Sequence, residues 1–279
     1  MLRWGGVLRQ FGRPQNRKKS EMPMSGAEQR MADAGLEVSV IVPAKDERDN
    51  LPILLDEIAT ALQDRAFEVL VIDDGSTDGT DKVLADYAAS HTWLRPLRHA
   101  RSSGQSCAVR TGLRHARGRI VATIDGDGEN NPAYIPELMA ALEAGGPSVA
   151  LAAGQRVGRK ASRAKRIASR LANRLRGALL KDNTRDSGCG LKALRREVFL
   201  QLPYFDSWHR FLPALVIREG YGVVHVDVLD RQRRHGTSKY GIFDRALVGA
   251  LDLFGVWWLR RRRKSIPEVS AIEPAAGPR

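Results

Sequence analysis

The sequence predicts an α/β fold with a mostly parallel central sheet flanked by helices. Short β-rich runs alternate with longer amphipathic segments from Val38 onward, the signature of βαβ units. Each run feeds a helical segment within a few residues, and 279 residues of ordinary apolar content support one well-packed domain.

Residues 1–36 carry Arg3, Arg9, Arg13, Arg17, Lys18 and Lys19 but scatter their apolar residues too widely for the core of a secretory signal. They read as a disordered basic tail, or as a start assigned too early, and the single folded domain is expected over 37–240. Within it, 38–42, 67–72 and 119–124 read as strands. Residues 50–62, 78–89 and 105–116 carry apolar side chains at helical spacing, with Asp49 or Asn50 and Thr77 or Asp78 placed to cap the first two helices. A helix over 132–142 and a strand over 148–153 complete the alternation.

The stretch 156–176 then holds many arginines and lysines and no acidic residue, with Ile167, Leu171 and Leu175 at four-residue spacing. It reads as a basic amphipathic helix preceded by a loop. The segment 191–198, a helix near 211–219 and a strand over 223–228 form a second half. A last helix, about 242–263 within a C-terminal segment 241–264, ends in the cluster Arg260–Lys264, and 265–279 reads as a Pro-rich disordered tail.

Lysine and arginine outnumber acidic residues 45 to 32, a formal charge of +13, so a polyanionic partner is expected. Cys107 and Cys189 have no zinc-site spacing and read as free thiols in a reducing compartment. No run reaches the roughly eighteen apolar residues that cross a bilayer; the longest candidate, 246–259, is broken by Asp252.

In an open parallel sheet the ligand site lies beyond the carboxyl ends of the strands. Three acidic clusters fall there: Pro43, Ala44, Lys45, Asp46 and Glu47; Asp73, Asp74, Gly75 and Ser76; and Asp125, Gly126, Asp127, Gly128 and Glu129. None has G-x-G-x-x-G spacing, which disfavours a Rossmann dinucleotide. Carboxylates in the first two loops would repel a bare pyrophosphate and suit hydrogen bonding to a base and ribose; the alternative is that Asp73 and Asp78 only cap turns and helices. In an extended segment residues i and i+2 share a face, so Asp125, Asp127 and Glu129 are expected to converge on one point. Such carboxylates need a divalent cation with oxygen ligands, Mg²⁺ or Mn²⁺.

The segments 38–50 (VSVIVPAKDERDN), 69–78 (VLVIDDGSTD) and 124–130 (IDGDGEN) resemble the three nucleotide-sugar-binding blocks of family 2 glycosyltransferases with the GT-A fold. Within that family the chain is similar, over about 38–240, to dolichol-phosphate mannosyltransferases and bacterial polyprenyl-phosphate sugar transferases. The resemblance implies that Pro43, Glu47 and Asp74 hold the nucleoside, that Asp125, Asp127 and Glu129 surround the metal, and that Ser102–Ala108, with Gly104, and Arg110 lie beside the nucleotide sugar. Asp46 stands where the family usually has Asn, and Glu129 where many lipid-phosphate enzymes have Gln. Asp186 lies in a segment (DSGCG) that resembles the one closing the catalytic pocket. Arg234, Gly236, Ser238, Lys239 and Tyr240 look like the family's R-x-G-x-S-K-Y loop, which the resemblance implies covers the donor diphosphate.

The acceptor follows from charge. A hydroxyl acceptor needs a general base, whereas a phosphate oxygen is already anionic and needs cations to align it. Arg156, Arg159, Lys160, Arg163 and Arg166 follow the sheet, and the Glu-Asp dipeptide common in relatives acting on hydroxyls is absent from the chain. The expected reaction moves a hexose, with inversion, from a donor such as GDP-mannose or UDP-glucose to a polyprenyl phosphate. Asp125, Asp127, Arg163 and Asp186 are the candidate catalytic residues, and Arg156, Arg163, Arg166 and Arg234 the candidate acceptor-phosphate ligands. Leu247, Leu251, Phe254, Trp257 and Trp258 beside the terminal arginines suit a helix lying on an anionic membrane, at the inner face of the cytoplasmic membrane; core packing is its rival reading. Two other functions compete: transfer to a sugar hydroxyl, and non-catalytic binding of nucleic acid or anionic lipid. No specific nucleic acid is expected.

Overall fold

A computed structural model of the chain describes residues 35–157, 176–231 and 243–264, with positions 267 and 270. In chain order the elements are β1 (Val38–Ala44), α1 (Leu51–Ala61), β2 (Phe67–Asp73), α2 (Thr80–Ser90), β3 (Leu94–Arg98), α3 (Gln105–His115) and β4 (Ile120–Thr123). A 3-10 turn at Pro132–Tyr134 leads into α4 (Ile135–Ala144), and then come β5 (Val149–Val157), β6 (Lys192–Arg195), α5 (Arg196–Gln201), α6 (Leu212–Arg218), β7 (Gly222–Leu229) and α7 (Phe243–Arg261).

The strands form one sheet in the order β3-β2-β1-β4-β6-β5-β7. Pairing is parallel except at β6, which runs antiparallel to both β4 and β5. β1 is buried at nearly every residue, as a strand covered on both faces must be. Its alternation sorts the core: Val38, Val40 and Val42 pack with Leu51, Leu54, Leu55 and Ile58 of α1 and Leu138 of α4. Ile41 points the other way and packs with Ala108, Val109 and Leu113 of α3, together with Phe199, Trp208 and Leu215. Helices therefore cover both faces and leave the carboxyl ends of β1, β2 and β4 side by side, with Ala44 in register with Asp73.

Several local expectations change. Neither Asp49 nor Asn50 caps α1: Asn50 is already in the helical region without a side-chain cap, and its amide reaches Glu47 Oε2 at 2.7 Å. At α2 the capping position is Gly79 at φ +92°, and Asp78 Oδ1 takes the Thr80 N–H at 3.0 Å. β3 was not expected from the sequence. β5 runs on to Val157, so Arg156 ends a strand instead of opening a basic helix. Residues 158–175 of that expected helix, including Ile167 and Leu171, lie outside the described residues, while Arg176, its last residue, is helical; the basic tail 1–34 and nearly all of 265–279 also lie outside.

Candidate active site

The loops after β1 and β2 are laced together. Asp74 N–H donates to Ala44 O at 2.8 Å, Asp46 N–H to Ser76 Oγ at 2.8 Å, and Thr77 N–H to Asp46 Oδ1 at 2.8 Å. Asp73 Oδ1 takes the Ser76 N–H at 2.8 Å, and its Oδ2 lies 3.4 Å from Arg98 Nε. Asp74 accepts from His99 Nδ1 at 2.7 Å, Ser102 Oγ at 2.8 Å, and the N–H groups of Ser103 and Gly104 at 2.8 Å each. Burial works to raise its pKa, but the hydrogen bonds led by His99 overcome this and hold it below the usual carboxylate range. Both aspartates thus shape loops: Asp74 pins the Ser102–Gly104 turn that launches α3. Gly75 is required there, because a Cβ on it would lie 2.8 Å from Ser102 N, and its φ is +70°.

The third cluster follows β4. Asp125 lines a small pocket with Pro43, Gln105, Val109, Thr123, Gly190, Lys192, His209 and Leu212. Gln105 Nε2 donates to Asp125 Oδ1 at 2.7 Å. Burial first, then the charges of Asp127 and Glu129, push the Asp125 pKa up to about 6, against the lowering pull of Lys192 and Arg156. Gly190 is held by Thr123 Oγ1, which donates to its carbonyl at 2.6 Å; a Cβ there would lie 2.4 Å from the Asp125 carboxyl carbon. The Lys192 ammonium, on a residue only 3% exposed, donates to Cys189 O, and burial lowers its pKa. His209 Nδ1 meets Ser106 Oγ at 2.7 Å, and burial, helped by Lys192 and Arg210, pushes it down to about 3, so it is neutral.

The alternation rule does not by itself place Asp125, Asp127 and Glu129. β4 stops at Thr123 and the chain turns over 126–127, with Gly128 at φ +74°, so strand periodicity no longer applies. Asp127 Oδ1 accepts the Glu129 N–H at 3.1 Å. Among the described residues no three His, Cys, Asp or Glu side chains gather into a cation-holding group. The donor set still fits a hard divalent ion, which commonly takes one or two protein carboxylates and completes its shell with substrate phosphates. The charges of Asp127 and Glu129 on Asp125, which add to the effect of burial in raising its pKa, support that fit, because a cation relieves such repulsion.

Asp186 faces Arg156 across the end of β5, bonded by Arg156 Nε and, at 3.0 Å, by Nη2, while Asp230 Oδ2 lies 3.6 Å from Nη1. Burial raises the Asp186 pKa, but the bonds and charge of Arg156 outweigh it and the group ends below its ordinary value. Arg156, expected as an open phosphate ligand, is instead clasped by two carboxylates. Arg110 stacks over the rings of Tyr204 and Trp208, at 5.6 and 5.7 Å from their centroids. Arg163, Arg166, Arg234 and Lys239 lie outside the described residues. Sequence reasoning placed Gln105 only within the Ser102–Ala108 segment and missed Lys192 and His209; the one available signal was the lysine that opens the short run Lys192–Arg195 after Leu191.

The model of the Glycosyl transferase family 2 matches residues 39–202. The dodecaprenyl-phosphate galacturonate synthase of Rhizobium johnstonii is 34% identical over 232 residues, covering 81% of this chain and 68% of that protein. The undecaprenyl-phosphate 4-deoxy-4-formamido-L-arabinose transferase of Klebsiella pneumoniae subsp. pneumoniae is 32% identical over 206 residues, covering 73% of this chain and 62% of its own length. The chain thus spans somewhat under or about two thirds of these relatives. The glucosyl-3-phosphoglycerate synthase of Mycobacterium tuberculosis, solved with Mn²⁺, UDP and glucosyl-3-phosphoglycerate, superposes with a TM-score of 0.61 at 20% identity, over 87% of this chain and 86% of that one. At that identity the likeness concerns the fold.

Proposed function

Because the chain belongs to glycosyltransferase family 2, we propose that it transfers a hexose from a nucleotide-diphosphate sugar to a polyprenyl phosphate with inversion. The observation that carries the reading is Asp125, a half-buried carboxyl that lines a small pocket with Pro43, Gln105 and Lys192, close enough to Asp127 and Glu129 to feel their charges. The polyprenyl-phosphate substrates named for the two bacterial relatives support the acceptor class.

In this reading Pro43, Ala44, Glu47, Ser76 and Gly104 line the nucleoside end, while Asp73 and Asp74 keep their loops in place. Asp127, with Asp125 and Glu129, is the protein's share of a Mg²⁺ or Mn²⁺ site, and the bound ion would neutralise the departing diphosphate. Gln105 aims the Asp125 carboxylate, Gly190 leaves room for it, and Lys192 supplies a buried counter-charge. Asp186, steadied by Arg156, orients the sugar or an acceptor-binding arginine. Arg163, Arg166 and Arg234 hold the acceptor phosphate, and Lys239 the donor diphosphate. An already ionised phosphate oxygen needs alignment and no general base. The donor is GDP-mannose, UDP-glucose or a related sugar nucleotide, and the protein works against the inner face of the cytoplasmic membrane through α7.

The test incubates a panel of nucleotide sugars and a short polyprenyl phosphate with Mg²⁺ or Mn²⁺ and reads products by mass spectrometry. Asp127→Ala, on a loop with little packing, is expected to cut turnover at least about 100-fold, the scale of losing one preorganised electrostatic group. Product on a simple glycoside but none on polyprenyl phosphate would favour transfer to a hydroxyl; full activity of the variant would overturn the metal assignment.

A further inference from the structure

The acidic loop after β4 is fastened at its far end by an arginine from another part of the chain. Arg231, just past β7, donates its N–H to Glu129 O at 2.8 Å. Its guanidinium forms a two-pronged pair with Glu57, Nη1 to Oε1 at 2.9 Å and Nη2 to Oε2 at 2.7 Å, and Nη2 also donates to Asn130 O at 3.0 Å. The planar fork cannot satisfy all these partners in a second orientation, so it fixes the separation of the groups it joins. Glu57 is a firm anchor, because α1 is seated in the core by Leu51, Leu54, Leu55 and Ile58.

The tie continues toward Asp186. Asn130 is buried, and its amide donates to Asp230 Oδ1 at 3.3 Å. The other oxygen of Asp230 lies 3.6 Å from Arg156, which grips Asp186. One polar chain therefore runs from α1 through the acidic loop to the segment that carries Asp186. Arg231 sits at its junction and also begins the stretch that leads to Arg234 and Lys239.

We propose that Arg231, anchored on Glu57, is a positioning residue that sets the Glu129–Asn130 end of the acidic loop, and with it the carboxylates offered to the donor's cation. The proposal rests on the family 2 donor reading given above. A plain surface ion pair makes a different forecast. Both side chains are 29% exposed, and such pairs contribute little to stability, so an ornamental pair would leave every readout unchanged.

The experiment titrates Mn²⁺ into the full chain by electron paramagnetic resonance, with UDP in one series and GDP in another, and follows melting in parallel. Glu57→Gln and Arg231→Gln are each expected to raise the half-saturating Mn²⁺ concentration about tenfold, as loss of an outer-shell partner does. The melting temperature should move little. The double variant should bind no worse than either single one, since each change already breaks the same tie. Half-saturation within about twofold of the parent in both single variants, on that same outer-shell scale, or losses that simply add in the double variant, would overturn the positioning role. A parent chain that binds no Mn²⁺ with either nucleotide would instead overturn the donor reading, and the positioning role with it.

Discussion

Asp125 is held where ionisation is costly, and this gives the protein a pH signature of its own. Its folded pKa, about 6, lies above the ordinary carboxyl value of 3.8, so the native state binds this proton more tightly than the unfolded chain does. The stabilisation that protonated Asp125 contributes is complete below about pH 4 and is lost as pH rises through about 6. The difference is at most about 3 kcal/mol. An asparagine keeps the shape and cannot ionise, so Asp125→Asn is expected to be more stable than the parent at pH 8 in the absence of metal, by up to that amount. The advantage should vanish by pH 4. Urea denaturation in EDTA at pH 4, 6 and 8 measures it, and a variant no more stable than the parent at pH 8 would refute the burial account. Excess Mn²⁺ with a nucleoside diphosphate should reverse the ranking, because only the parent keeps the full set of carboxylates.

At the scale of elements, the turn before α3 depends on one carboxylate. Four donors converge on Asp74, so Asp74→Ala leaves them unpaired and removes the clamp on Ser102–Gly104. A loss of about 3 kcal/mol is expected, the usual result of breaking a buried charged hydrogen-bond set. Nucleotide affinity should fall as well, since Gln105 begins the helix and aims Asp125. Denaturation together with UDP or GDP titration would test both; a stable variant with unchanged affinity would contradict this role. The same elements explain what the sequence disclosed. β1, β2 and β4 were legible because strands covered on both faces read as near-continuous apolar runs, interrupted here only by single residues such as Ser39 and Glu68. β3 was not: it is an edge strand carrying Pro96 between two arginines, with neither alternation nor an apolar run. The three acidic strand ends were legible as positions, but their geometry was not, because periodicity ends where β4 ends. Lys192 and His209 reach the pocket from distant segments, through packing that local pattern does not encode.

For the whole molecule, the question is which way the site faces its acceptor, and α7 supplies an orientation. One side of the helix is seated: Val256 is buried, Leu253, Trp257 and Leu259 pack on the core, and Arg218 Nε donates to Leu259 O at 3.2 Å. The opposite side leaves Leu251 66%, Phe254 63% and Trp258 52% exposed, at the spacing of one helical stripe, flanked by exposed Ala250 and Gly255. Beyond the stripe stand Arg261, Arg262 and Lys264, and Arg262 lies over the Trp258 ring at 6.0 Å. No helix among the described residues is long and apolar enough to cross a membrane. An apolar stripe of this kind ending in arginines matches an anionic bilayer surface, into which it can sink while the body stays in water. The chain is therefore expected to sediment with vesicles containing phosphatidylglycerol, less with phosphatidylcholine alone, and less as salt rises. Replacing Leu251, Phe254 and Trp258 together by Ser should weaken vesicle binding at least about 100-fold, given roughly 1.5 to 3 kcal/mol for each buried large apolar side chain. Nucleotide binding should persist, because none of the three side chains touches the pocket. If the triple variant sediments as well as the parent, this face is not the docking surface, and the proposed acceptor phosphate would be reached from another side of the molecule.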